Sequence, residues 1–270
     1  MEAKAKGLTG SAPVQGPLWG AQREDWAAIQ EQTALPLHGA VLDAAWVTRG
    51  TRFLDAGCGA GLAALLAALR GAEVSAIDAS AELVAIAQRR VPGSDIRQAD
   101  LESLPYADAT FDAVVAVNSV FYAADPAAAM HELVRVVRPG GRVVVTTWGP
   151  MDRCDYAAVI RLLGPLMPPP PPGSKPGGPF AFAAPGALEA VMEAAGLRPI
   201  DRGETTCPFC YPSREISLRG QISSGVPQRA IGQSGEEQVR AAIAEADGQF
   251  TRADGSIRYE NEFVWVVGSR

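Results

Sequence analysis

The 270-residue chain predicts an α/β fold, a doubly wound and mostly parallel sheet with helices on both faces. Three observations carry this expectation. An apolar run ends in an acid and a glycine triplet, Phe53-Leu-Asp-Ala-Gly-Cys-Gly-Ala-Gly61. Strand candidates alternate with helical patterns from Gly50 to Thr147. The second strand, Glu73-Val-Ser-Ala-Ile-Asp78, also ends in an acid.

Taken in order, residues 1 to about 20 are polar with scattered Gly and Pro and read as flexible, without the apolar core of a signal peptide. Ala21 to Thr33 and Leu37 to Val47 are helix-like, with Trp26, Ile29 and Leu42 on the faces to be buried. Thr51 to Leu54 reads as a buried strand with Asp55 at its end. Gly57, Gly59 and Gly61 permit a tight turn and a close backbone approach to a ligand, because none carries a Cβ. Cys58 lies inside that turn, to pack there or touch ligand. The Ala/Leu-rich Leu62 to Arg70 reads as a helix whose N-terminus points at the same spot. Asp78, followed by Ala79, sits where a carboxylate accepts hydrogen bonds from ribose hydroxyls in nucleoside sites of several kinds. A third short strand, Asp95 to Ala99, leads into Asp100-Leu101. Asp125 to Val137 fits a helix with Met130, Leu133, Val134 and Val137 at i, i+3, i+4 and i+7.

After Trp148 the composition shifts. Tyr156 to Leu166 can be helical, and the proline-rich Met167 to Pro179 favours polyproline II and turns. Pro185 to Ala195 reads as a helix with Pro near its start and Gly196 at its end. Arg198 to Cys207 suits a sixth strand, Ser213 to Ser223 and Glu236 to Ala246 two more helices, and Glu260 to Val267 a last strand.

Composition narrows the class. A hydrophobic content of 47% supplies a sizeable core. A net charge of −6, with lysine only at positions 4, 6 and 175, argues against a nucleic-acid partner, which needs a clustered basic face. No apolar stretch reaches the roughly 18 residues that span a membrane. A cytoplasmic protein with no membrane partner is the expectation. Cys207-Pro-Phe-Cys210 has CxxC spacing, but zinc needs further ligands and the chain has two histidines, so a structural pair and no metal are expected.

The glycine spacing is GxGxG rather than the GxGxxG of dinucleotide sites, and an acid before the turn suits a cationic ligand better than a pyrophosphate. This stretch resembles the first motif of class I S-adenosylmethionine (SAM)-dependent methyltransferases. Leu104-Pro-Tyr-Ala-Asp-Ala-Thr-Phe-Asp-Ala-Val-Val-Ala-Val117 is similar to that family's approach to strand four. Leu133-Val-Arg-Val-Val-Arg-Pro-Gly-Gly-Arg-Val-Val-Val145 is similar to its helix, Pro-Gly-Gly turn and strand five, as in ubiquinone and menaquinone methyltransferases. The resemblance covers residues 51 to 147. It implies a seven-stranded sheet of order 3-2-1-4-5-7-6, ending in an antiparallel pair of strands six and seven.

It also implies SAM as cofactor, S-adenosylhomocysteine as product and a small-molecule acceptor methylated on O, N or C. The Gly57, Gly59 and Gly61 backbone would approach the methionine part, with Asp55 and Cys58 nearby. Asp78 and Ala79 would hold the ribose, Asp100 and Leu101 the adenine, and Asn118 the amino group, beside Ser119. Residues 1–48 would cover the site of a domain spanning 49–270, with cap segments at about 148–184 and 207–258. His38 and Tyr122 are candidate catalytic residues. Trp19, Trp26, Trp148 and Tyr156 are candidates for an apolar wall against a lipophilic or aromatic acceptor, though each also suits a core position, Trp26 above all. His131 reads as a helix-surface residue. The alternatives are an NAD(P)-type oxidoreductase, which calls for a longer glycine motif and a Tyr/Lys pair absent here, and a non-catalytic SAM-binding protein. A protein acceptor stays open.

Overall fold

The computed structural model describes residues 8–169 and 178–270. The strands are β1 (Arg52–Ala56), β2 (Glu73–Asp78), β3 (Asp95–Gln98), β4 (Phe111–Ala116), β5 (Val137–Trp148), β6 (Arg198–Thr206), β7 (Phe209–Tyr211), β8 (Ile257–Tyr259) and β9 (Glu262–Ser269). Seven make one sheet of order β3-β2-β1-β4-β5-β9-β6, and β7 with β8 makes a separate ribbon. From β3 to β5 the neighbours are parallel, and β9 runs antiparallel to β5 and β6. Since β9 is the seventh strand of this sheet, the order is the expected 3-2-1-4-5-7-6. The chain order reverses between β1 and β4, which opens a crevice at their carboxyl ends.

The helices are α1 (Ala12–Gly20), α2 (Arg23–Asp25), α3 (Leu35–Ala44), α4 (Leu62–Leu69), α5 (Ala81–Arg90), α6 (Pro126–Val136), α7 (Ala157–Leu163), α8 (Ala187–Ala194), α9 (Arg214–Ile222), α10 (Gly225–Ser234) and α11 (Glu236–Phe250). Strand side chains alternate between two cores. Phe53, Ala113, Val115 and Val144 join the core under α3, α4 and α5. Leu54, Val114, Ala116 and Val145 join the core under α6 and α8. Helix starts follow capping chemistry: Ser80 Oγ accepts from Leu83 N at 3.2 Å, and Asp125 accepts from Ala127 N at 3.0 Å with Pro126 behind it.

Three segments depart from the sequence expectation. Residues 12–20, read as flexible, form α1, because tertiary bonds hold its start: Asp100 Oδ2 accepts from Ala12 N and Glu102 Oε1 from Ser11 N, each at 3.2 Å. Gly16 lets this helix close on the core; a Cβ there would fall 2.5 Å from the Ala79 carbonyl oxygen. Residues 1–7 of that reading lie outside the described residues. The helix read over Ala21 to Thr33 becomes α2, a π turn at Trp26–Gln30 and a 3₁₀ turn at Glu31–Ala34. There the Ala27 carbonyl is drawn out of the helical ladder by Arg90 Nη2 at 2.8 Å and Gln32 Nε2 at 3.1 Å. Finally, α10 was not expected, since Gly225, Pro227 and Gly232 obscure its pattern. Most of the proline run falls on 170–177, outside the described residues.

The insertion between β6 and β9 holds β7, α9, α10, α11 and β8. Its helix α10 packs on α1, α9 on the π turn and α11 on α7. Buried Cys207 donates its backbone N–H to Asn261 O at 2.8 Å, and Cys210 is exposed beside Arg258.

Gly61 sets the start of α4 at φ +89°, where a Cβ would lie 2.8 Å from the Ala87 Cβ. Gly61→Ala is expected to cost about 1–3 kcal/mol, read as a lower urea midpoint. Gly39→Ala, with open space at its Cβ position in α3, should leave stability unchanged or raise it by about 0.4–1 kcal/mol. Equal effects would refute the assigned turn geometry.

Candidate functional site

A cavity of ≈ 1240 Å³, counted out to its mouth, lies at the carboxyl ends of β1, β2 and β4. Its floor is the glycine turn. Gly57 stands at φ +85° with its Cα against Ser119, whose Oγ donates to the Ala56 carbonyl at 2.8 Å. Asp78 Oδ2 accepts from Gly59 N at 2.8 Å and Oδ1 from Ser80 N at 2.9 Å. Asp100 Oδ1 accepts from Glu102 N at 2.9 Å, while its Oδ2 anchors α1. Every one of these carboxylate oxygens keeps a second lone pair for a ligand. Asn118 holds φ +51°, an uncommon value away from glycine. It is locked by Thr146 Oγ1, which accepts from Asn118 N and donates to Asn118 Oδ1, both at 2.9 Å.

Of the residues singled out in the sequence, the cavity wall brings together Trp19, Trp26, His38, Gly57, Cys58, Gly59, Asp78, Ala79, Asp100, Leu101, Asn118, Ser119, Tyr122, Trp148 and Tyr156. Two lie off it. The strand pleat turns Asp55 away from the cavity to accept from Ala64 N in α4 at 3.1 Å, and its exposure is 1%. Gly61 is spent on the helix start. His131 sits on the exposed face of α6. Sequence reading missed Glu31, which lines the cavity from the N-terminal segment beside Gly59. It also missed Phe209 and Phe263. No local pattern marks Glu31, because its neighbours read as an ordinary surface helix.

Charge is distributed unevenly. Glu31, Asp55 and Asp78 surround the turn, and none of the described lining residues is Lys or Arg. Burial pushes the Glu31 carboxyl up to about 7, against the pull of Arg90 and the Ala60 and Leu62 N–H groups. Burial pushes Asp55 up to about 8, opposed by the Ala64 N–H and helped by the charges of Glu31 and Asp78. Asp78 is likewise raised by burial. Buried carboxyls short of cations fit a cationic ligand. Burial lowers His38 to about 4, so it is neutral at physiological pH. The opposite end of the cavity is aromatic: Trp148 stacks on Tyr156 at 5.3 Å and 19°, and meets Phe263 at 4.6 Å and Phe209 at 5.8 Å.

Residues 54–145 match the family described as "Methyltransferase domain". The chain is 33% identical over 154 residues to an uncharacterised protein of Mycobacterium tuberculosis, covering 56% of each. It is 40% identical over 120 residues to a ubiquinone biosynthesis O-methyltransferase of Alkalilimnicola ehrlichii, covering 43% of this chain and 47% of that one. The chain thus spans about half the length of the curated relatives it matches. Its fold is similar to the crystal structure of the [4+2]-cyclase SpnF, with a TM-score of 0.60, 21% identity and 97% of both chains covered. Fold, sheet order and matched domain define a class I methyltransferase architecture. Residues 54–145 thus match a methyltransferase domain, set in a fold shared with solved structures of that architecture.

Raised carboxyls give the unliganded protein a definite pH response. Between about pH 4.5 and 7 the folded chain keeps a proton on Glu31 that the unfolded chain releases, so stability falls as pH rises through that window and is level above it. Asp55 extends the fall from about 3.8 to about 8. Urea midpoints at pH 5.5 to 8.5 should decline in the wild type. Glu31→Gln should make the part below pH 7 shallower, leaving the Asp55 contribution, and should not change the part above it. A wild-type midpoint that rises across this range would contradict the burial of these groups.

Proposed function

We propose that the protein transfers a methyl group from SAM to a small-molecule acceptor. One observation carries this reading: a single cavity joins the acidic glycine turn of a methyltransferase domain to an uncharged aromatic wall. SAM supplies a methyl group on a sulfonium sulfur, and the thioether that leaves takes no proton. In this reading Asp78 and Ala79 hold the ribose, and Asp100 with the Leu101 N–H holds the adenine. The Gly57, Cys58 and Gly59 backbone lies along the methionine part, where Asn118 and Ser119 close the floor. Glu31, Asp55 and Asp78 favour the cofactor's positive charge.

The chain's own contribution is alignment of acceptor and methyl, worth about 7–11 kcal/mol in well-oriented systems, and exclusion of water. Among the described residues, 8–48, 148–169, 178–184 and 207–258 serve as the cap that excludes it. An acceptor small enough to enter a cavity with these aromatic walls is favoured over nucleic acid, which the net charge of −6 also disfavours. The O-methyltransferase name of one relative supports oxygen as the accepting atom. The oxidoreductase alternative is not favoured by the short glycine turn or by a lining without lysine among the described residues.

Calorimetric titration with S-adenosylhomocysteine, beside NAD⁺ and NADP⁺, tests the reading. Micromolar binding of the first alone is expected, weakened at least tenfold in Asp78→Ala. Preference for a dinucleotide, or no binding of S-adenosylhomocysteine, would sink it.

A further inference from the structure

We propose that the amino ends of β1, β4 and β5 form a second binding site, for a nucleoside monophosphate, independent of the methyl-transfer reading. A depression of ≈ 790 Å³, counted out to its mouth, lies there, at the opposite ends of these strands from the glycine turn, and it shares no wall residue with that cavity. Its described wall carries Arg49, Arg138 and Arg142 against one acid, Asp112, an excess of two positive charges in a chain of net charge −6. Asp112 is already engaged: Oδ1 accepts from Arg138 Nε at 2.6 Å and from Arg52 Nη2 at 3.2 Å, and Oδ2 accepts from Arg52 N at 2.8 Å. That leaves Arg49 and Arg142 with no ion pair among the described residues. Glu73 stands beside Arg52 on β2, off this wall.

Trp46 supplies a flat face. It follows α3 at the left-handed position that glycine favours, φ +57°, with Trp46 N donating to the Asp43 carbonyl and Val47 N to the Leu42 carbonyl, each at 3.0 Å. Val47 is the buried apolar residue of this cap, so the cap itself has no need of an indole. A tryptophan at that φ is strained, and 69% of it is exposed. Neither property helps the fold, and both suit a ring held out for a ligand. Arg142 fixes the indole: its Cζ lies 3.2 Å from the ring centroid, and its Nη1 donates to the Ala44 carbonyl at 3.1 Å. A nucleoside base stacks on such an aromatic–guanidinium pair. A phosphate monoester carries about 1.5 to 2 negative charges at pH 7, which matches the excess of two, and its oxygens match the guanidinium fork. Apart from Trp46, the apolar side chains of the described wall are alanines, so no second anchor reaches into a bilayer and an anionic membrane is the poorer fit.

Calorimetric titration with adenosine 5′-monophosphate, adenosine and inorganic phosphate tests this, beside sedimentation with phosphatidylglycerol vesicles. The monophosphate should bind at least tenfold tighter than adenosine or phosphate, and added salt should weaken it severalfold. Trp46→Gly places glycine where the backbone favours it, so the urea midpoint should hold or rise while affinity for the monophosphate drops at least tenfold. Arg49→Gln removes a charge with no ion pair and should cost at least fivefold for the monophosphate and for phosphate, and nothing for adenosine. Asp78→Ala, at the glycine turn, should retain the binding that depends on Trp46. No binding of the monophosphate, phosphate binding as tight as the monophosphate, or undiminished affinity in Trp46→Gly overturns the inference. Binding lost entirely in Asp78→Ala also overturns it, because the nucleotide would then sit in the other cavity. Vesicle binding that is lost in Trp46→Gly, with no binding of the monophosphate, overturns it in favour of a membrane face.

Discussion

Three carboxylates, two of them buried, converge on one glycine turn, and the rest of the molecule is arranged around keeping them there. Removing a carboxylate from water is expensive, and backbone N–H groups at helix starts are the least costly way to offset it. Asp55 takes Ala64 N, Asp78 takes Gly59 N and Ser80 N, and Glu31 is held by the Ala60 and Leu62 N–H groups. These bonds fix where α4 and α5 begin and where the N-terminal segment lies. The N–H groups do not suffice to keep all three acids at ordinary pKa values. The unliganded site therefore relieves its crowded negative charge by holding protons, which a bound cation can replace.

The N-terminal segment is fastened to this turn more firmly than a loose lid would be. Arg90 donates to the Ala60 carbonyl at 2.9 Å, to the Ala27 carbonyl at 2.8 Å and to Glu31, so a single guanidinium joins the turn to the segment above it. From the opposite side, Tyr211 Oη donates to Gln30 Oε1 at 2.8 Å, and Arg219 pairs with Asp25 at 2.6 Å. The exposed Arg219 pair adds little. The buried tyrosine–glutamine bond and the Arg90 fork carry the attachment. Within the inserted segment, Asp247 Oδ1 accepts from Ser217, Gln221 and Tyr259, a buried network that gives α9, α11 and β8 one common register.

What could be read from the sequence follows the range of the forces involved. The strands, the glycine turn and the strand-end acids Asp78 and Asp100 were legible because apolar periodicity and turn chemistry are local, whereas the sheet order came from the family resemblance. The helix α1 was not legible, because Asp100 and Glu102, far along the chain, supply its first hydrogen bonds. Glu31 was invisible for the same reason: its burial is made by Arg90 and the start of α4, and nothing beside it in sequence announces either. Asp55 shows the converse. An acid before a glycine turn reads as ligand-facing, yet the strand pleat points it at its own helix. It contributes to the site through charge and scaffold rather than contact. The aromatic end mixed both cases. Trp148 and Tyr156 were expected at a wall, while Phe209 and Phe263 reach it through β7 and β9, which no local pattern connects.

Fold alone leaves the reaction undetermined, since a [4+2]-cyclase shares this architecture across nearly the whole chain. Chemistry must come from how charge is placed within the cavity. A site with acids at both ends would hold a cationic acceptor beside a cationic donor and pull them apart. A site with cations at the far end would compete with the donor for the carboxylates of the turn. Here the acids stand at one end only, and the other end presents rings and a neutral imidazole. That asymmetry lets one positive charge enter at the acidic end and leaves the acceptor space apolar.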